Sequence, residues 1–200
     1  MPSYSQIPQI FHQVAAVSKH LTHPNIVPLL GVTTEPLELI SKWMSGGELP
    51  EYIMRHPNAD RLALVCFVST MTPHALTPFQ LSDIAKGLNY LHSSNMVHGD
   101  LKGVRDYYRP SFTSIFTSSQ SSVLVDANGH ARITDFGLAS ITQDPDFMRS
   151  ASAEHGRNTR WVAPEILDGQ GTYSKEADVF SFAGVAIEVR CKLSPQSDKW

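Results

Sequence analysis

The apolar positions of the chain change period several times, and each change marks an element. Ile10, Val14, Val17 and Leu21 share one helical face, and the proline of "THPN" ends the stretch. A short amphipathic helix leading into a turn is expected there. "IVPLLGVTTEPLELISKWM" then reads as two β-type runs turning at Glu35-Pro36, and "SGGEL" as a glycine-rich linker. Leu81, Ile84, Ala85, Leu88 and Leu91 return to helical spacing, with Ser82 as N-cap and "HSSN" as the end. "VLVDANGHARIT" predicts a hairpin of two apolar strands around Asn128-Gly129, a dipeptide suited to the positive φ angles of a tight turn. "ADVFSFAGVAIEV" is apolar on nearly every helical face, which predicts a buried helix.

Composition narrows the class. With 200 residues, 42% hydrophobic and 18% charged, the chain reads as one or two soluble globular domains. A net charge of −3 without a long basic block gives nucleic acid or an anionic membrane no electrostatic footprint, so neither is an expected partner. Apolar runs such as Leu62 to Val68 and Phe182 to Val189 are far shorter than the roughly 18 residues of a membrane span. The start "MPSYSQIPQI" lacks the basic-then-apolar order of a secretory signal, so an intracellular, cytoplasmic home is expected. Cys66 and Cys191 form neither a disulfide framework nor a metal-ligand spacing, which fits a reducing compartment.

Three short signals follow in order: His98-Gly99-Asp100-Leu101-Lys102, Asp135-Phe136-Gly137 and Ala163-Pro164-Glu165. Each alone is weak, since a single Asp in a loop is usually a turn former or cap. Together, in this order and with the hairpin between the first two, they are specific. On "HGDLKG", "VLVDANGHARITDFGLA", "NTRWVAPEI" and "YSKEADVFSFA" the chain resembles the eukaryotic protein kinase family. It looks like the serine/threonine, tyrosine-kinase-like branch abundant in mushroom-forming fungi.

The resemblance implies an α+β, protein-kinase-like fold over 10–189. Residues 10–44 would form a partial N-lobe and hinge (the αC helix and the strands after it), and 45–189 an incomplete, mainly helical C-lobe. It implies transfer of the γ-phosphoryl group of ATP, with Mg²⁺, to serine or threonine hydroxyls of a protein substrate. By that likeness Asp100 accepts the hydroxyl proton, Lys102 steadies the transferred group and Asp135 holds Mg²⁺. Leu124 packs under adenine, while Ser41, Lys42, Trp43 and Met44 match the gatekeeper and hinge. Thr159 sits where the substrate docks, and Asp178 ties the buried helix to the catalytic loop. Phe136, His98, Leu29 and Ser18 match stacked positions that align the lobes, so His98 is structural rather than an acid or base. Gly99 stands where the family usually has arginine, which argues against control by a phosphate on the activation loop. The other histidines, His92 among them, have no ligand spacing, and Trp161 reads as core.

The family pattern is also broken in places. Its glycine-rich loop and ATP-binding lysine would lie upstream of Ile10, and Val14 falls where the lysine's glutamate partner is expected. The metal-binding Asn should stand five positions after Asp100, directly before "VLV". Deleting Val104 to Gln120 restores that spacing and places Ser122, a poorer neutral ligand, at the metal position. Deleting Val65 to Gln80 likewise restores one uninterrupted helix. Both segments begin with Val and end with Gln, whose codons can supply the GT and AG that bound introns. Residues 65–80 and 104–120, with the tail 189–200, therefore read as translated introns; ordinary surface insertions are the alternative. Glu165 would lose the arginine it pairs with and become a buried unpaired charge, and the apolar faces left uncovered predict poor solubility. As written the chain would be a feeble or inactive kinase. The alternatives are a pseudokinase or decoy that binds a partner, or a gene product with wrongly drawn exon boundaries and no role.

Overall fold

The computed structural model describes residues 7–56, 81–103, 121–136, 159–169 and 171–191. The expected insertions 65–80 and 104–120, and residues 192–200 of the expected tail, lie outside these residues.

Helix α1 (Ile7–Ser18) leads into the ribbon β1 (Leu29–Thr34) and β2 (Leu37–Ser41). A two-residue strand β3 (Gly47–Glu48) precedes α2 (Leu49–Arg55), and α3 (Leu81–Ser93) precedes β4 (Val123–Val125) and β5 (Ala131–Ile133). A single 3₁₀ turn (Thr159–Trp161), the short α4 (Pro164–Leu167) and the long α5 (Lys175–Cys191) complete the described elements. β1 and β2 pair antiparallel as one sheet, and β3-β4-β5 form a second antiparallel sheet.

The segment between α1 and β1 stitches the two sheets together. Val27 N–H donates to Ile133 C=O and Ile133 N–H to Asn25 C=O, both at 2.9 Å, so the chain runs beside β5 as one parallel bridge. The buried Asn25 amide adds a bond to Ala131 C=O at 3.1 Å. Close approach of α3 is possible because residue 87 is glycine: a Cβ there would lie 2.7 Å from Asn25 O. Around this seam Ile26, Leu49, Ile84, Leu88, Leu91, Leu101, Val123, Val125, Ile133 and Val185 form one core, each at most 4% exposed. Burial of each such side chain contributes about 1.5–3 kcal/mol.

Several expectations need correction. The buried face of α1 carries Val14, Ala15 and Ser18, while Val17 is 39% exposed and Leu21 lies beyond the helix end. Ser82 lies inside α3 rather than at its cap. "SGGEL" is no mere linker, since Gly47 and Glu48 pair with Val125 and Leu124. In the hairpin only Gly129 has positive φ (81°); Asp126 C=O accepts from Gly129 N–H, giving a turn closed by one left-handed glycine. α5 is not buried all round: Ala177, Asp178, Val185 and Val189 face inward, whereas Val179, Phe180 and Ile187 are 44–58% exposed.

Candidate active site

The loop after α3 presents His98 to Lys102, and three anchors fix its backbone. The first is Asp178, 1% exposed on α5. Its Oδ2 accepts from His98 N–H and its Oδ1 from Gly99 N–H, both at 2.8 Å. Gly99 has φ +79°, a left-handed conformation that glycine adopts without a Cβ penalty. The second anchor is the His98 ring. Nε2–H donates to Thr134 C=O at 3.0 Å, and Asp100 N–H donates to Nδ1 at 3.2 Å. A carbonyl can only accept and an amide N–H can only donate, so the ring is neutral with its proton on Nε2. Burial of the ring lowers the pKa in agreement, against the opposing pull of Asp178 and Asp100.

The third anchor is Ser122. Its hydroxyl donates to Asp100 C=O at 2.6 Å, its N–H donates to Lys102 C=O at 3.0 Å, and its own C=O accepts from Thr134 N–H at 3.0 Å. The Asp100 peptide is thereby joined through two short links to Thr134, the residue before Asp135. Asp100 itself points outward, with its side chain 45% exposed, and pairs with Lys102 Nζ at 2.7 Å. Asp135 is exposed and holds φ +59°, a strained region that Asp tolerates better than most residues. Crowding by its surroundings raises its carboxyl from the ordinary range, Asp100 adding and Lys102 opposing, although the residue as a whole is open to solvent. Phe136 packs into the core at 7% exposure.

The other expected site residues are spread along the frame. Ser41 ends β2; Lys42 is exposed, and its N–H donates to Pro28 C=O at 3.0 Å. Trp43 is 85% exposed and Met44 4%. Met44 C=O accepts from Gly47 N–H at 3.0 Å. Leu124 stands between buried Val123 and Val125 on the opposite face of β4, paired with Glu48 and Arg132. Glu165 is exposed at the start of α4, so it carries no buried-charge cost, contrary to the expectation. The Thr159 side chain lies outside the described residues. Ser122 is 1% exposed with its hydroxyl engaged, an orientation that spacing could not reveal.

A small cavity of about 20 Å³ opens beside Asp100, bordered by Lys102, Trp161, Ala163, Tyr173 and Ser181. Two residues bearing on this region went unread in the sequence. His92 reaches Asp178 Oδ2 through Nε2 at 2.8 Å, and its only sequence signal is its place at the end of an amphipathic helix. Asp126 organises the hairpin, accepting from Asn128 N–H, His130 N–H and the Arg132 guanidinium at 2.9–3.0 Å.

Residues 3–105 and 119–198 match the family model described as protein tyrosine and serine/threonine kinase. Over 185 residues the chain is 32% identical to serine/threonine-protein kinase VIK of Arabidopsis thaliana, covering 89% of this chain and 35% of that protein. It is 26% identical over 187 residues to serine/threonine-protein kinase STY46 of the same plant, covering 92% and 27%. It is also 29% identical over 181 residues to tyrosine-protein kinase Abl of Drosophila melanogaster, covering 90% and 9%. The chain thus spans 35% or less of the length of these relatives. Because the match runs from α1, through the loop that Asp178 anchors, to α5, the chain belongs to the protein tyrosine and serine/threonine kinase family.

Proposed function

We propose that the chain carries the phosphoryl-transfer side of a protein serine/threonine kinase, with Asp100 taking the proton of an acceptor hydroxyl. The observation that carries this reading is the double link from Asp100 C=O through Ser122 to Thr134, which holds base and metal-type carboxylate in one frame. Lys102, paired with Asp100 at 2.7 Å, is placed to steady a transferred group between them. The cavity next to Asp100 has room for about one water-sized group, enough for a hydroxyl. Ser41 to Met44 and Leu124 would border the adenine of ATP, and Thr159 the docked substrate.

A divalent cation such as Mg²⁺ would supply neutralisation of phosphate charge at this site. The donor set fits it through Asp135, a carboxylate on an otherwise solvent-exposed residue. Ser122 fits poorly, since it is buried and its hydroxyl proton already goes to Asp100 C=O. α1 has no carboxylate anywhere in IPQIFHQVAAVS, so it offers no partner to an ATP-binding lysine. Both features point to weak nucleotide binding and slow transfer, and they favour a partner-binding pseudokinase as the second reading.

Residues 104–120 are read as an insertion foreign to the site. If they are removed, Lys102, Gly103, Ser121 and Ser122 become consecutive. The existing bond from Ser122 N–H to Lys102 C=O, 3.0 Å, is then the i to i+3 bond of a β-turn. The interruption of the family match between residues 105 and 119 supports the same reading. Transcripts lacking these codons would fit an intron; transcripts retaining them would count against one.

Binding of a fluorescent ATP analogue, with and without Mg²⁺, tests the nucleotide assignment. Asp135→Asn is expected to weaken the Mg²⁺-dependent part about tenfold or more, and Ser122→Ala by less than about threefold. A larger loss in Ser122→Ala than in Asp135→Asn would reverse the metal assignment, and no binding at all would favour the pseudokinase.

A further inference from the structure

His92 closes the last turn of α3, and its ring reaches across to the buried carboxylate of α5. Asp178 accepts three N–H groups on two oxygens: Gly99 N–H on Oδ1, and His98 N–H and His92 Nε2–H on Oδ2, all at 2.8 Å. Two of these donors belong to the loop that presents Asp100. The third comes from a different element and is the one side chain among the donors. Asp178 is 1% exposed, so its hydrogen bonds are screened little, and a carboxylate that lost one donor would be left with an unmet lone pair.

We infer that His92 is a positioning residue for the catalytic loop: it fixes the Asp178 carboxylate, and through it the backbone that carries Asp100. The direction of the bond follows from Asp178 being only an acceptor, so Nε2 must bear the hydrogen. The group that meets the ring is Asp178 on α5, and the 2.8 Å contact aims Nε2 at its Oδ2. Lys175 is turned aside, its Nζ donating to Asn95 Oδ1 at 3.5 Å. A pure space-filling role between α3 and α5 is the competing account, and it makes no demand on hydrogen-bond donation. The consequence for catalysis rests on the proposed role of Asp100; the geometry does not.

Amide hydrogen exchange of the full chain, read residue by residue by NMR, separates the two. His92→Gln keeps an N–H donor without a ring, and His92→Phe keeps a ring without a donor. Relative to the Val123 and Ile133 amides, those of His98 and Gly99 should exchange about tenfold faster or more in His92→Phe and stay within about threefold of wild type in His92→Gln. Equal acceleration in both variants, or none in either, overturns the assignment. If His92→Phe does not fold, His92→Ala takes its place, with the same two outcomes. In phosphate-transfer assays the donor-less variant should lose kcat about tenfold with KM for the acceptor peptide unchanged. Absence of transfer by the wild-type chain would remove the proposed role of Asp100 while the exchange comparison still decides the role of His92.

Discussion

At the scale of single residues, hydrogen-bond direction carries most of the information. His98 accepts from one neighbour and donates to another, so it is locked neutral and cannot act as a general base at Asp100. Its pKa lies below 6.5, so on acidification the unfolded chain takes up the proton first. The His98 contribution to stability is therefore complete above about pH 6.5 and declines as pH falls below it. Long-range ¹H–¹⁵N spectra of the ring should show the Nε2–H tautomer unchanged from pH 8 to 6.5; a ring that titrates at or above 6.5 contradicts the assignment. Asp126 behaves in the usual carboxylate sense. Burial alone would raise it, but the N–H groups of His130 and Asn128 and the Arg132 guanidinium outweigh burial and hold it below 3.8. Asp126→Ala should cost about 1–3 kcal/mol in urea unfolding at pH 7. The gap should start to shrink as pH drops below 3.8, where the unfolded chain protonates first, and should be lost as pH falls through the lower value of the folded carboxyl. Motif spacing alone points to Asp100, Lys102 and Asp135 as candidate site residues. The role of Ser122 could not, because a spacing gives a position along the chain and says nothing of where a hydroxyl points.

Among elements, the two hairpins could be read in advance because alternation and turn residues are local. The two-residue β3 could not, since pairing of so short a segment depends on Val125 arriving from far along the chain. The inward face of α5 was hidden for a related reason: its residues are apolar all round, so periodicity could not choose a side. Helix α3 gives a direct test of the seam. A Cβ at position 87 would lie 2.7 Å from Asn25 O and 3.1 Å from Ile133 Cδ1, so Gly87→Ala should destabilise by about 1–3 kcal/mol despite the better helix propensity of alanine. Unchanged or raised stability would mean that α3 can move away from Asn25 freely. A chain with residues 104–120 removed should keep the fold, because the Ser122 N–H to Lys102 C=O bond already has turn geometry. Loss of cooperative unfolding in that chain would show that the segment is integral.

For the whole molecule, one core joins α3, β4, β5 and α5, and the ribbon β1–β2 stands apart from it. Leu30, Ile40 and Trp43 on the ribbon and its exit are 45–85% exposed, as are Val179 and Ile187 on α5, both above 50%. Such surfaces favour association. Replacing Val179 and Ile187 by serine should raise the soluble fraction with little change in melting temperature, since neither side chain belongs to the core. A drop of several degrees would place them in a packed environment instead. Family membership fixes the fold and the order of the motifs. The hydrogen bonds of this chain define the frame around Asp100, built by Asp178, His98 and Ser122. Its most direct test is transfer of labelled phosphate from MgATP to a serine- or threonine-containing peptide by the wild-type chain and by Asp100→Asn. A slow transfer that falls at least about a hundredfold on losing the carboxylate is the expected result; equal signals from both proteins would contradict it.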